Sequence, residues 1–307
     1  MKVSWFLTAL AFATIAFAQQ KQGSIVTDDL LWKKLDALVG DTVEKFDGVM
    51  GVAIVDFTDG RAILKNADRV FPTASSIKIA VLLELYHEEQ SGKAKLSDVY
   101  LFDPKDLVED SQIMTGLTPG VTKVTNRDLA QFMVTASDNA ATNVLIDRVG
   151  MENVNATLRS LDLTRTTLRR KMMDIAAAKR GDENVSTPQE MARLLEAIYK
   201  GKALNKELTE SMIKQLKALK KDSWLSTDLP LDVEIADKPG SLEGIRTDSG
   251  IIFAKNRPFV ISVMTSFVRD EPVAERAIGR IALEAFRYFE MRGKTSQYGR
   301  ILEENKN

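Results

Sequence analysis

The order of elements along the chain predicts an α/β (α+β) fold: a five-stranded antiparallel sheet built from both chain ends and flanked by helices, with a mostly helical insertion between them. Three observations carry this. Strand-like segments cluster near the two ends, helical periodicity fills the middle, and an amphipathic helix lies outside each strand cluster. Terminal segments of one character that enclose another fit a single sheet. They assign residues 19–72 and 226–307 to the sheet domain and 73–225 to the helical one.

Residues 1–18 stand apart. Lys2 gives a positive start, Trp5–Phe17 is an uncharged run of 13 residues, and Ala16-Phe17-Ala18 has the small-x-small pattern of a signal-peptide cleavage site after Ala18. The run is shorter than the roughly 20 residues that span a bilayer. A periplasmic or secreted protein with no membrane span after cleavage is expected.

In the mature chain, Leu31, Leu35, Leu38, Val43 and Phe46 recur near helical spacing and predict a helix over 29–46. Val49–Phe57 and Arg61–Asn66 read as two strands about a two-residue Asp59-Gly60 turn. From about Thr73 to Leu219 the pattern is mostly helical. Thr187-Pro188-Gln189-Glu190 opens one helix with a capping threonine, a proline at the first helical position and a glutamate at the third. Strand character returns at Ile235–Lys238, Asp248–Phe253 and Phe259–Phe267, and Val273–Arg292 closes the chain with a buried helical stripe.

Composition narrows the chemistry. The 307 residues carry 42 Lys and Arg against 43 Asp and Glu, a net charge of −1 that gathers neither nucleic acid nor acidic lipid. Zero cysteines exclude thiol catalysis and Cys-based zinc sites, and a single histidine, His87, excludes sites that need two imidazoles. No metal and no organic cofactor is implied. The remaining tools are hydroxyls, amines, carboxylates and backbone groups.

Ser75-Ser76-Ile77-Lys78 opens an apolar helical run. Positions i and i+3 of a helix are neighbours, so the Lys78 amine is expected within reach of the Ser75 hydroxyl. The positive end of the helix dipole there favours an alkoxide and a neutral lysine, which is the logic of a Ser-Lys nucleophile. Ser137-Asp138-Asn139 lies between two helical segments, and Lys238-Pro239-Gly240 sits in a strand, followed by Ser241. Each element alone also fits a turn, a cap or a close backbone approach. His87 is 12 residues after Ser75 on the same predicted helix, about 18 Å along its axis, which excludes a triad built on that pair.

In that order, with Ser137 coming 62 residues after Ser75, the three elements are those of penicillin-recognising serine enzymes. With Phe71-Pro72 ahead of the serine and Ala236-Asp237 ahead of Lys238, the whole mature chain resembles the class A β-lactamase family. The resemblance implies a β-lactamase/transpeptidase-like fold and a monomer acting on a β-lactam or a peptidoglycan-like peptide. It implies Ser75 as nucleophile, Lys78 as its base, Ser137 as proton relay, and Lys238 as the cation for a substrate carboxylate. Asn139 would hold the substrate amide carbonyl, with Gly240 beside the bound substrate. Asp138 would brace its loop, the backbone N–H groups of Ser75 and Ser241 would form the oxyanion hole, and Arg246 would make a second carboxylate contact.

The chain also departs from the family. Aligning Arg170 with the family's loop-anchoring arginine puts Met172 where the deacylating glutamate belongs, and Ala176 where an asparagine is expected. Asp174, the only carboxylate from Leu163 to Gly181, is the candidate substitute base, with a loop salt bridge as its alternative role. Asp182 or Glu183 is expected to pair with Arg170. Pro239 replaces a hydroxyl residue, and Asp110 lies near the cleft mouth where an aromatic is usual. Three readings therefore stay open: a β-lactamase, a D-Ala-D-Ala peptidase or esterase with slow deacylation, and a β-lactam sensor. Retention of Ser75, Lys78, Ser137 and Lys238 weighs against a dead site, because an unused buried lysine is costly to desolvate.

Overall fold

The structure is a computed structural model and describes residues 27–218 and 223–302. The expected signal peptide lies outside them. Helix α1 (Thr27–Lys45) precedes strands β1 (Val49–Asp56), β2 (Ala62–Lys65) and β3 (Phe71–Pro72). A 3-10 turn at Ala74–Ile77 runs directly into α2 (Lys78–Ser91). There follow β4 (Val99–Leu101), β5 (Lys123–Thr125), α3 (Asn126–Thr135), α4 (Asn139–Val149), α5 (Met151–Ser160), α6 (Ile175–Lys179), β6 (Val185–Ser186), α7 (Pro188–Tyr199) and α8 (Lys206–Leu216). The chain returns through β7 (Ile235–Leu242), β8 (Ile245–Ile252) and β9 (Phe259–Ser266) and ends in α9 (Glu271–Lys294).

The large sheet has the order β2-β1-β9-β8-β7 with every pair antiparallel. Strand β1 pairs with β9 from Val49 opposite Ser266 to Asp56 opposite Phe259, so the two chain ends share one sheet, as their strand character predicts, and meet in its middle. Both faces are covered. Phe259, Ile261 and Val263 join the core beneath α1 and α9, while Val260 and Met264 point the other way into the core shared with α2 and α7. This is the two-residue alternation of a strand buried on both sides.

Helix α7 begins as its sequence predicts, with Thr187 Oγ1 accepting from Glu190 N at 3.1 Å. The Glu190 carboxylate turns instead to Arg165 N and Thr166 Oγ1, fastening the start of the loop that walls the cleft. Three extents differ from expectation. The β1–β2 link is a four-residue loop, because Asp56 N bonds Arg61 O at 2.9 Å and leaves Phe57–Gly60 outside the ladder. Strand β7 continues through Pro239 and Gly240 to Leu242. It is an edge strand, where a proline's missing N–H costs no ladder bond. Strand β8 starts at Ile245 because the polar Arg246, Thr247 and Asp248 are buried by side-chain partners rather than solvated.

Candidate active site

A cleft of about 290 Å³ opens where the 3-10 turn, the α3–α4 link, the 170–184 loop and β7 converge. Ser75, Ser137, Asn139, Lys238, Gly240 and Ser241 all line it, so three motifs scattered over the sequence share one wall. Four non-glycine residues with positive φ also line it: Ala74 (47°), Asp110 (57°), Ser137 (54°) and Met173 (62°). Strained backbone gathers where the surroundings over-determine the chain, which is common at functional sites.

Lys78 is 1% exposed at the start of α2. Its Nζ donates to Ser137 O at 2.6 Å, Ser137 Oγ at 3.0 Å and Asn139 Oδ1 at 2.9 Å. All three ammonium protons are thus taken, and none goes to Ser75, so the direct Lys78–Ser75 bond expected from helix spacing is absent at rest. Burial pushes the Lys78 pKa well below that of a free lysine, the Lys238 cation pushes the same way, and Asp138 and Asp110 oppose it. Lys238, also buried, donates to Ser137 Oγ at 3.1 Å and to Pro239 O at 2.9 Å. Two lysines therefore flank one hydroxyl.

Asp138 is fully buried and works on backbone. Oδ1 caps α4 through Ala141 N at 2.9 Å, and Oδ2 accepts from Ile113 N at 2.8 Å and Met114 N at 2.9 Å. Its carboxylate holds the second motif against the 108–116 segment. Gly240 brings β7 against the turn that carries Ser75: a Cβ there would lie 2.7 Å from Ser75 N, 2.7 Å from Thr73 O and 2.8 Å from Ser76 N. Thr247 Oγ1 on β8 donates to Thr73 O at 2.9 Å and fixes the same turn from below.

Two expected participants are elsewhere. Asp174 is exposed, does not line the cleft, and caps α6 through Ala177 N at 2.9 Å. An aspartate before a short helix satisfies orphan N–H groups, and among the described residues Asp174 makes no salt bridge. Arg246 also lies off the cleft. Its guanidinium is held by Glu275 at 2.8 Å, by Glu271 and by the carbonyls of Leu242 and Ile245, and it stacks behind Trp224 with 5.6 Å to the ring centroid. Two carboxylates of α9 consume the charge that a substrate carboxylate would need.

Of the two candidates for Arg170, Glu183 is the partner, with Arg170 Nη2 donating to its Oε2 at 2.8 Å, while Asp182 pairs with Arg180. Met172 lines the cleft and is 7% exposed. Asn143 fixes its main chain from both sides, accepting from Met172 N at 2.8 Å and donating to Met172 O at 3.1 Å. Asn184 accepts from Arg169 N and Arg170 N, and its carbonyl takes Thr73 N at 2.9 Å, tying the loop to the serine turn. Sequence reasoning overlooked Asn143, Asn184 and Trp224. Asn143 alone carried a signal, one helical turn after Asn139 on the same face of α4. His87 is half-exposed on α2, 3.7 Å from Glu84, and takes no part in the cleft.

The β-lactamase enzyme family matches residues 30–289. The chain belongs to that family. Beta-lactamase SME-1 of Serratia marcescens is 28% identical over 300 residues, covering 92% of this chain and 97% of the relative. Among solved structures, an ancestral class A β-lactamase is 26% identical with a TM-score of 0.77, covering 83% of this chain and all of that one. An acyl-enzyme complex of a PBP-A mutant with penicillin G superposes with a TM-score of 0.75 at 22% identity, a likeness of fold, covering 85% of this chain and 97% of that one. The protein is thus a class A-like β-lactamase-type serine hydrolase, and its five-stranded antiparallel sheet with flanking helices is that family's fold. Among the described residues no helix is long and apolar enough to cross a membrane, and no cluster of potential metal ligands occurs.

Proposed function

We propose that this chain opens β-lactam rings by acylation of Ser75. The observation that carries the reading is the buried Lys78–Ser137–Lys238 array beside Ser75. A lysine whose ammonium is disfavoured by burial and by a second lysine supplies a neutral amine as base. Once Lys78 is neutral it donates two hydrogen bonds and accepts one, so it takes the Ser75 proton as the hydroxyl attacks the lactam carbonyl. Ser137, between both lysines, then passes a proton to the leaving nitrogen. The N–H groups of Ser75 and Ser241 receive the developing oxyanion, a contribution of about 3–4 kcal/mol per donor in other serine hydrolases. Asn139 holds the substrate amide, and Lys238 faces the substrate carboxylate, assisted by the Ser241 hydroxyl now that Pro239 offers none and Arg246 is committed to α9. The Met1–Ala18 segment supports export to the periplasm or beyond.

Release is the weaker half. Met172 offers no proton acceptor, and Asp174 faces away, so the acyl-enzyme is expected to persist and deacylation to limit turnover. A D-Ala-D-Ala peptidase, esterase or β-lactam sensor would share the same acylation, and Met172 is the feature that favours those readings.

Intact-mass spectrometry with a penicillin tests acylation. The expected result is a stoichiometric adduct within seconds to minutes that Ser75→Ala abolishes, alongside colour release from a chromogenic cephalosporin. No adduct and no colour would sink the reading. The pH profile tests the base. Acylation should rise with pH through the lowered Lys78 pKa, because only the neutral amine accepts a proton. Lys238→Ala removes a cation that lowers that pKa, so the rise should move to higher pH, while Lys238→Arg leaves it in place. A rise that stays put in Lys238→Ala would assign it to another group.

A further inference from the structure

We infer that Asp110 selects substrates by the charge of their acyl side chain, favouring cationic over anionic ones. The inference rests on the proposed acylation of Ser75 and goes on to name the preferred substrate class.

Asp110 is exposed and lines the same cleft as Ser75. Its φ of 57° lies in the left-handed region, where aspartate and asparagine are the tolerated side chains after glycine. The segment carrying it is pinned to the second motif at several points. Asn139 Nδ2 donates to Glu109 O at 3.3 Å, Ala140 N donates to Ser111 Oγ at 3.1 Å, and Ser111 Oγ donates back to Val108 O at 2.6 Å. Asp110 is therefore held on the cleft wall that it shares with Asn139, the residue assigned to the substrate amide, where the acyl chain leaves the reacting ring. Its field reaches the reacting centre, since it acts on Lys78 against the effect of burial.

Among the described residues, the other charged side chains at the cleft have partners of their own. Arg170 is paired with Glu183, Arg246 with Glu271 and Glu275, and Lys78 and Lys238 are buried around Ser137. Asp110 takes part in no ion pair among the described residues. Among the described residues, an acyl chain leaving the site beside Asn139 thus meets one carboxylate that no ion pair compensates. A unit charge acting over about 6–8 Å in a wet cleft changes a rate by a few-fold in each direction, so an ammonium and a carboxylate at the same position should differ roughly tenfold.

The test uses three penicillins with one phenylacetyl side chain, carrying hydrogen, an ammonium or a carboxylate on its α carbon. Second-order acylation rates are read by intact mass at low salt. The wild type should rank ammonium above hydrogen above carboxylate, with about tenfold between the extremes. Asp110→Asn, which keeps the backbone preference, should collapse that ratio to near one, and Asp110→Lys should invert it. Added salt should compress the wild-type ratio and leave that of Asp110→Asn unchanged. A wild-type ratio near one, or a ratio that survives in Asp110→Asn, would overturn the inference while leaving acylation intact. Failure of all three penicillins to acylate Ser75 would overturn both.

Discussion

Met172→Glu is expected to shorten the lifetime of the acyl-enzyme by about a hundredfold or more, with little change in the rate at which it forms. The position is already built for a side chain facing the cleft. Asn143 clamps the Met172 main chain through its N–H and its carbonyl, so the loop backbone does not depend on what the side chain is. The methionine lines the same cavity as Ser75 and brings no proton acceptor to it. Glutamate is of similar length and adds a carboxylate on that wall, and a positioned general base is worth about 10²–10⁴ in rate. Arg170, which lines the cleft and already binds Glu183, is one nearby group that could capture the new carboxylate. Met172→Gln controls for polarity and size, since an amide cannot take the proton. The measurement is decay of the penicillin adduct by intact mass after excess substrate is removed. Equal adduct lifetimes in Met172→Glu and Met172→Gln would show that the loop does not deliver water to the ester.

The failures of the sequence reading have a common physical origin. The sheet was legible because strand and helix periodicities are local and the chain ends share one of them, so a single sheet from both ends follows from pattern, whereas the β1–β9 pairing at its centre does not. The Ser75, Ser137 and Lys238 motifs converge as their order implies. What sequence could not settle is competition for partners. Arg246 reads as a cleft cation until α9 brings Glu271 and Glu275 to it from 25 and 29 residues away. Asp174 reads as a spare base until a one-turn helix claims it as a cap. Lys78 reads as a partner of Ser75 because the two are helical neighbours, yet three acceptors from residues about 60 positions away hold its protons at rest. A charged group's role is decided by which neighbours reach it first, and those neighbours are distant in sequence.

Gly240→Ala is expected to lower acylation by about 10²–10³ while the protein still folds. The contact at Gly240 is backbone against backbone, so no side chain can rotate away from an added methyl. Its Cβ would stand 2.7 Å from Ser75 N, 2.7 Å from Thr73 O and 2.8 Å from Ser76 N, and β7 must separate from the 3-10 turn before the methyl fits. The turn cannot yield easily, because Thr247 Oγ1 holds Thr73 O from beneath and Asn184 O holds Thr73 N from the side. Strand β7 is the edge of the sheet and is the part free to move. Ser75 belongs to the turn and Ser241 to β7, so the shift widens the gap between the two N–H groups proposed as oxyanion donors. Loss of one such donor costs about 10²–10³ in other serine hydrolases, whereas overpacking by a methyl costs about 1–3 kcal/mol of stability. Gly116→Ala, where an added Cβ meets nothing within 4 Å, separates the loss of a glycine from the steric effect. Acylation by a penicillin, followed alongside thermal unfolding, distinguishes the outcomes. A large kinetic loss with a modest drop in Tm places the effect at the oxyanion hole. A Gly240→Ala enzyme that acylates within threefold of the wild type would mean that the donors do not straddle this contact, and would remove Ser241 N from the hole.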